Sequence, residues 1–539
     1  MGTEFIKQVS DVRKEFRTFA LEHKKTCVFT AFVVFASWGA LTFRTDIGVD
    51  TEIMITGSQG MLQSWYGLGR FGLVFTKKLL GTDKLSQTVI MMASMFLIGM
   101  ICMTVNFAVS QWSKGDKRYE VFYPVFSAVY GTCPCLAEQF YFQMQALEVI
   151  WGIYLSVLAV YSASRYVYEK ESRGWLLFSL ICGVWAVGTY QAMAAVFIAL
   201  SAFSFLLAYQ NEQTDEESKA ESWFRKGVWF AAVFLVILAV HGALAHLIRS
   251  VTNTNGEYLN TLVFWGRDGL KVCLHRVLTD IQRIYLGQPP FFSPLTLVIL
   301  ILAAGLFWVR GWKTNQKERV FFLFAGAVFV SSPVLMGILT GTFQGIRVQL
   351  AYPFVLSVSA GVLATIKPEG RGQKLLPFAA VSLAVVVAWN QWMSSERLLD
   401  TMHRASIQDE ERCKAIYQEA ERVAAISGGT HVRDMTLVFV GKRPMDTNVS
   451  TLKGDMIGVS VFEWDELGPT GVSGRVSTLF YVYGLMHQKA TPEQYLASVI
   501  RAEDMPSWPD QGSVVREEER IIIKLSDPHL EVYERLHQK

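Results

Sequence analysis

Asp46, Asp50 and Glu52 stand within seven residues of one another, in the stretch Arg44-Thr-Asp46-Ile-Gly-Val-Asp50-Thr-Glu52. A carboxylate placed between an apolar medium and water has its pKa raised toward the range of a general base. Asp46 and Asp50 are four apart, so a helix would put them on one face, while Gly48 equally allows an extended turn. A solvated acidic loop is the plain alternative. The neighbours Ile47, Val49, Ile53, Met54 and Ile55 argue instead for a segment packed onto other structure. A fourth acid, Glu138, lies among aromatics in Pro134-Cys-Leu-Ala-Glu138-Gln-Phe140-Tyr-Phe142. Such an acid at a membrane surface is costly unless paired or used, although the aromatics equally suit an interfacial belt.

Three arginines share apolar or glycine-rich settings: Arg70 (Gly-Leu-Gly-Arg-Phe-Gly), Arg267 (Phe-Trp-Gly-Arg-Asp) and Arg347 (Phe-Gln-Gly-Ile-Arg). A guanidinium is planar, always charged and bidentate, which suits a phosphate. Taken singly, each reads more simply as a snorkelling structural arginine. Cys133-Pro-Cys135 is too closely spaced for ordinary disulfide geometry and has no histidine neighbour, so it reads as two small residues at a helix end.

These residues must be positioned by a membrane protein. The 539 residues are 51% hydrophobic, 13% aromatic and only 18% charged, with mean hydropathy +0.28. A soluble domain is nearer a quarter charged. Seven cysteines exclude a disulfide scaffold, and a net charge of +3 is too balanced to argue for nucleic acid. Apolar runs fall at 26–43, 88–110, 119–133, 147–166, 175–189, 191–209, 227–248, 292–309, 320–340, 351–366 and 375–393, giving about eleven spans in a mainly α, polytopic bundle. The run from Trp175 to Tyr209 must reverse, and Gly188-Thr189-Tyr190-Gln191 is the expected turn.

Basic clusters precede the first run (Arg13, Lys14, Arg17, Lys24, Lys25) and recur at Lys114/Lys117/Arg118, Arg165/Lys170/Arg173, Lys219/Arg225/Lys226, Arg310/Lys313/Lys317/Arg319 and Lys367/Arg371/Lys374. They occupy alternate short loops, which places the N-terminus in the cytoplasm and, with an odd span count, the C-terminus outside. Residues 1–25 carry Phe5, Val9, Val12, Phe16 and Phe19 at helical spacing, the pattern of a basic amphipathic helix on the inner leaflet. The bundle then occupies 26–393, with outer loops 44–87 and 134–146 as the candidate catalytic loops. Residues 394–539 read as a small extracytoplasmic α/β domain: a charged helix over 399–427 ended by Gly428-Gly429, a buried strand at Met435–Gly441, further apolar runs at Val459–Trp464 and Val476–Tyr483, a helix over Thr491–Arg501 and a strand at Arg520–Leu525.

An outer face with a carboxylate base, cationic phosphate clamps and apolar grooves fits glycosyl transfer from a lipid-linked phosphate donor. The base takes the acceptor hydroxyl proton, the anomeric carbon gains oxocarbenium character, and arginine charge stabilises the departing phosphate without requiring a metal. The arrangement resembles the bacterial O-antigen glucosyltransferase family of the GT-C membrane class, the type encoded with phage serotype-conversion cassettes. The resemblance lies in Gly48-Val-Asp50-Thr-Glu52, Gly-Leu-Gly69-Arg70, Pro134-x-Leu136-x-Glu138-x-Phe140-x-Phe142, Thr189-Tyr190-Gln191, and, near the C-terminus, Val438-Phe-Val-Gly441 and Met505-Pro-Ser-Trp-Pro509.

The resemblance implies an inverting transfer of a hexose, typically glucose, from a polyprenyl-phosphate sugar to an outer glycan acceptor at the bacterial inner membrane. Asp50 is then the first choice of base. Asp46 is the alternative, since many GT-C enzymes place their acid even nearer the span, and the separated acids here depart from the paired aspartates of some members. Glu52 and Glu138 would orient hydroxyls. Arg70 and Arg347 would hold the donor phosphate, with Arg267, Tyr190 and Gln191 also on the substrate. No cofactor is implied, because the lipid-phosphate sugar is a substrate, although the acidic loop leaves room for a divalent metal. Membrane lipids and functional coupling to a donor synthase and donor flippase are the expected partners, and nucleic acid is not one.

Two other functions compete. A lipid-linked glycan transporter or flippase would want charged residues along the spans. There His241 is the clearest candidate, and it reads as a satisfied core histidine because it does not share a face with His246. A polysaccharide polymerase or ligase would use similar chemistry on a larger glycan.

Overall fold

The computed structural model describes residues 2–211, 216–256, 261–311, 316–367, 375–426 and 431–537. Lys313, Arg371, Lys374 and the expected Gly428-Gly429 helix end lie outside these, as do the side chains of Lys219, Arg310, Lys317 and Arg319. The chain is mostly helical with a small sheet near its C-terminus. It divides into two compact units, one of Met1–Phe43, Leu62–Phe140 and Gln145–Glu396, the other of Arg44–Met61, Tyr141–Met144 and Arg397–Lys539.

Among the described residues seven helices are long and apolar enough to cross a membrane, within Lys24–Thr42, Gln87–Trp112, Gln143–Glu169, Met193–Asn211, Ser222–Thr252, Val320–Thr340 and the start of Leu375–Ile426. Arg173–Thr189, Thr296–Phe307 and Tyr352–Ala364 are shorter apolar helices. The run expected as a span at 119–133 instead forms a 3₁₀ turn over Lys117–Val121 and a ten-residue helix, Phe122–Gly131. That helix is only about 15 Å long. Its residues are mostly buried, and Phe122 packs where a Cβ on Gly361 would come within 2.4 Å of its ring. Phe126 and Tyr130 continue the aromatic stack toward Phe354. One helix stops at Thr189 and the next begins at Met193, with Tyr190 extended between them, so the break falls where the polar residues interrupt the apolar run.

The second unit is built on a four-stranded sheet, β1 (Thr436–Val440), β2 (Gln488–Lys489), β3 (Val514–Glu517) and β4 (Arg520–Lys524), in the order β2-β1-β4-β3. β1 lies parallel to β2 and β4, and β3 is antiparallel to β4. Alternation along β1 sorts its side chains onto two faces. Val438 and Val440 join Ile522, Tyr495 and Val499 in a core beneath the helix Pro492–Ala502. Phe439, on the other face, meets Phe462, Phe480 and His487. Thr491 and Gln494 form a capping box that starts Pro492–Ala502. The charged helix expected to begin at 399 has no separate start. It continues the last apolar helix without a break, as Leu375–Ile426.

Candidate active site

The acidic segment has no regular secondary structure from Arg44 to Gly48 and enters a short helix, Thr51–Gly57, at Asp50. Gly48 is required there, because a Cβ would come 2.8 Å from the Tyr141 ring. The Tyr141 hydroxyl accepts the Val49 N–H at 3.1 Å, and Ser406 Oγ accepts that of Ile47 at 2.9 Å. Asp50 takes a left-handed backbone, φ 71°, a strained choice for a residue other than glycine.

This backbone separates the three acids into two constellations. Asp50 and Glu52 both face Arg475, whose Nη1 lies 3.0 Å from Asp50 Oδ1 and 2.8 Å from Glu52 Oε1, while its Nε lies 3.0 Å from Asp465 Oδ2. Glu52 is fully buried and Asp50 partly exposed. Burial raises the Glu52 pKa to about 7; Arg475 works against that rise and Asp50 adds to it. Its second carboxylate oxygen, Oε2, has no hydrogen-bond partner among the described residues. Asp46 is buried, with Oδ1 2.6 Å from Nδ1 of His403, whose ring is partly exposed. Burial raises the Asp46 pKa, and His403 and Arg44 oppose it. A partly exposed carboxylate fixed by a guanidinium, backed by a buried acid that titrates near neutrality, can accept a proton from a bound hydroxyl.

His403, Asp465 and Arg475 did not stand out in the sequence. His403 and Arg475 lie hundreds of residues from the acids they contact, 357 for the Asp46–His403 pair and 423 for Glu52–Arg475, and Asp465 joins only through Arg475. Nothing local marks them: His403 sits in a charged helix and Arg475 in the first turn of Ser473–Val482.

In the first unit the Gly-Leu-Gly-Arg turn meets the helix break at Tyr190. Gln191 Nε2 donates to the Leu68 carbonyl at 2.7 Å, and the Arg70 guanidinium lies over the Tyr190 ring, 4.6 Å from its centroid. Gly69, at φ 70°, places its carbonyl 3.2 Å from His241 Nε2, and Phe71 stacks on the same imidazole. Arg70, Tyr190 and Gln191 therefore form one cluster, and His241 is satisfied by hydrogen bonding within it. Glu138 is fully buried in the short helix Ala137–Tyr141. Its neighbour Gln139 donates to the Arg347 carbonyl at 2.7 Å, which joins the second loop to the Ile346–Val348 turn. Arg267 is exposed and held by its own loop, through the Thr261 carbonyl at 3.0 Å and the Phe264 ring.

One buried ion pair was missed. Lys77 Nζ lies 2.8 Å from Glu148 Oε1, both side chains almost wholly buried, and the Thr82 hydroxyl donates to the same oxygen. Glu148 interrupts the apolar run 147–166, and an acid inside a span is a signal in itself.

No curated protein and no solved structure matches the chain. Residues 39–365, more than half of it, match the family described as glucosyl transferase GtrII. The match takes in Asp46, Asp50, Glu52, Arg70, Glu138, Tyr190, Gln191, Arg267 and Arg347, and ends before His403 and Arg475. The chain belongs to the glucosyl transferase GtrII family.

Proposed function

We propose that the protein moves a glucosyl group from a polyprenyl-phosphate sugar to an extracytoplasmic glycan, with inversion at the anomeric carbon. Membership of a glucosyl transferase family supports sugar transfer, and the observation that carries the chemistry is the Asp50–Glu52–Arg475 constellation. Asp50 is the base. It is the accessible member, and Arg475 fixes its carboxylate through the same Nη1 that buried Glu52 holds, while Asp465 takes the Nε side of the guanidinium. The acceptor hydroxyl gives its proton to Asp50 as its oxygen bonds to the anomeric carbon. The bond from that carbon to the phosphate oxygen breaks, and polyprenyl phosphate departs with the electron pair. Inversion follows from a single displacement.

In the first unit Arg70 is the phosphate-binding candidate, oriented by Tyr190 and by the turn that Gln191 holds. Arg347, anchored through its backbone by Gln139, is the second. Glu138 is a candidate for orienting sugar hydroxyls.

The test is transfer of radiolabelled glucose from polyprenyl-phosphate-glucose to a candidate glycan by the full-length protein in vesicles. Asp50→Asn is expected to lose about 10²–10⁴-fold in rate, the usual contribution of a general base, with its thermal midpoint retained. Full activity in both Asp50→Asn and Asp46→Asn overturns the assignment of the base.

A further inference from the structure

The N-terminal helix Gly2–Glu22 is fastened at both ends and bridges a hollow between them. Near its start Phe5 packs edge-on to Trp175 at 5.3 Å and so close over Gly174 that a Cβ there would meet the ring at 2.4 Å. Gln8 accepts the Trp175 indole N–H at 3.1 Å. Toward its end Phe16 and Phe19 meet Phe107, and Phe19 also meets Tyr123. Between these anchors Val9 and Val12 roof a cavity of about 470 Å³, the size of a ligand site.

The walls of this cavity are apolar and elongated. Along Gln143–Glu169 they run from Tyr154 to Ser162, and along Gln87–Trp112 from Met100 to Phe107, about 10–12 Å at the helical rise. Four hydroxyl side chains stand among the apolar lining, those of Thr104, Tyr154, Tyr161 and Ser162. Tyr161 Oη and Ser162 Oγ are buried, line the cavity and have no hydrogen-bond partner among the described residues. Orphaned donors of this kind are costly. At the rim stands Arg13, exposed and without an ion pair among the described residues. An apolar slot, two donors and a cation at its mouth match one chemistry: a long hydrocarbon chain, acceptor oxygens, then a phosphate.

We propose that this cavity is a glycerophospholipid site. One acyl chain fills the slot beneath Val9 and Val12, ester oxygens accept from Tyr161 and Ser162, and the phosphodiester lies against Arg13. The site makes the N-terminal helix a clamp on a resident lipid of the leaflet it rests on. It is independent of the sugar-transfer reading.

The test uses the full-length protein in vesicles of phosphatidylethanolamine and phosphatidylglycerol, doped with phosphatidylethanolamine carrying a diazirine on one acyl chain. Irradiation is expected to label the peptides around Met100–Thr104 and Tyr154–Leu158 well above those around Leu235, an exposed position on Glu216–Thr252. Leu158→Trp fills the slot from one wall and Val12→Trp from the roof; each should cut that label about tenfold and leave Leu235 labelled as before. Having two variants guards against misfolding of either one. Arg13→Ala and the double change Tyr161→Phe, Ser162→Ala should each lower the phospholipid retained by the purified protein in native mass spectrometry. Equal labelling of the slot and Leu235, unchanged slot labelling in both filled variants, or retention of only a free fatty acid, detergent or nothing overturns the proposal.

Discussion

Glu52 is pulled two ways: a guanidinium at 2.8 Å favours its anion, burial disfavours it, and burial prevails, at a pKa of about 7. The sign of the consequence follows from linkage. An acid whose folded pKa is raised from its ordinary value of 4.5 to about 7 binds its proton more tightly in the folded chain. Its contribution to stability is complete below about 4.5 and is lost as pH rises through 7. Glu52→Gln, which resembles the protonated side chain, should therefore match the wild type at pH 5 and become the more stable of the two by pH 8. Thermal midpoints at those pH values check this, and a gap that shrinks or stays flat as pH rises refutes it. Arg475→Gln should do the opposite. It strands Asp50 and Glu52 together, at a cost of about 3–5 kcal/mol, the usual result of removing one partner from a buried pair. The loss should be larger at pH 8 than at pH 5 and should appear in the same melts. Asp46 differs from both, since it is buried and bound to His403. Asp46→Asn should lower the thermal midpoint, whereas Asp50→Asn should spare it, and that contrast separates a structural acid from the proposed base.

At the level of elements, glycine contacts hold the segments around Arg70 in place. A Cβ on Gly72 would come 2.5 Å from the Trp185 carbonyl and 2.7 Å from the Gly188 backbone, so the helix Phe71–Leu80 lies tightly against Arg173–Thr189. Gly72→Ala must push these helices apart, at about 1–3 kcal/mol for overpacking. It is expected to lower the melting temperature and, by shifting Arg70 away from Tyr190, to weaken donor use; unchanged stability and donor KM together would sink this reading. Elements of this kind were legible where one segment carries its own pattern. The buried strand at Met435–Gly441, the helix announced by Thr491-Pro492 and the apolar helices all declare themselves locally. Leu375–Ile426 did not, because its hydropathy falls near Asn390 while its backbone continues. No glycine interrupts it, and its one proline, Pro377, sits in the first turn, where proline is tolerated. β2 and β3 are two and four residues long, too short to alternate visibly. Arg475 and His403 were illegible for another reason: their role exists only once chain ends far apart in sequence are brought together.

For the whole molecule, the basic clusters make a claim about topology that the helix lengths alone leave undecided. Two long helices, Lys24–Thr42 and Gln87–Trp112, separate the N-terminal cluster from Lys114/Lys117/Arg118, so both clusters can face one side. The next cluster, Arg165/Lys170/Arg173, lies beyond Gln143–Glu169 and the ten-residue helix Phe122–Gly131. The positive-inside pattern keeps this cluster on the same side only if the segment containing the short helix also crosses. A ten-residue helix covers about 15 Å, half of a hydrocarbon core of about 30 Å, so its 3₁₀ entry and the 3₁₀ turn Pro134–Leu136 after it must complete the passage. Its heavy burial makes this feasible, because irregular backbone at membrane depth is tolerated where protein surrounds it. If that segment crosses, then with the seven long helices and three shorter apolar ones among the described residues the total is odd and the positive-inside pattern predicts termini on opposite sides. A cysteine tag placed after Lys539 should then react with a membrane-impermeant maleimide in intact cells, and one placed before Met1 should react only after permeabilisation. If both tags stay protected until permeabilisation, Phe122–Gly131 enters without crossing, the total is even, and the Asp50–Glu52–Arg475 constellation loses its assignment to an extracytoplasmic acceptor.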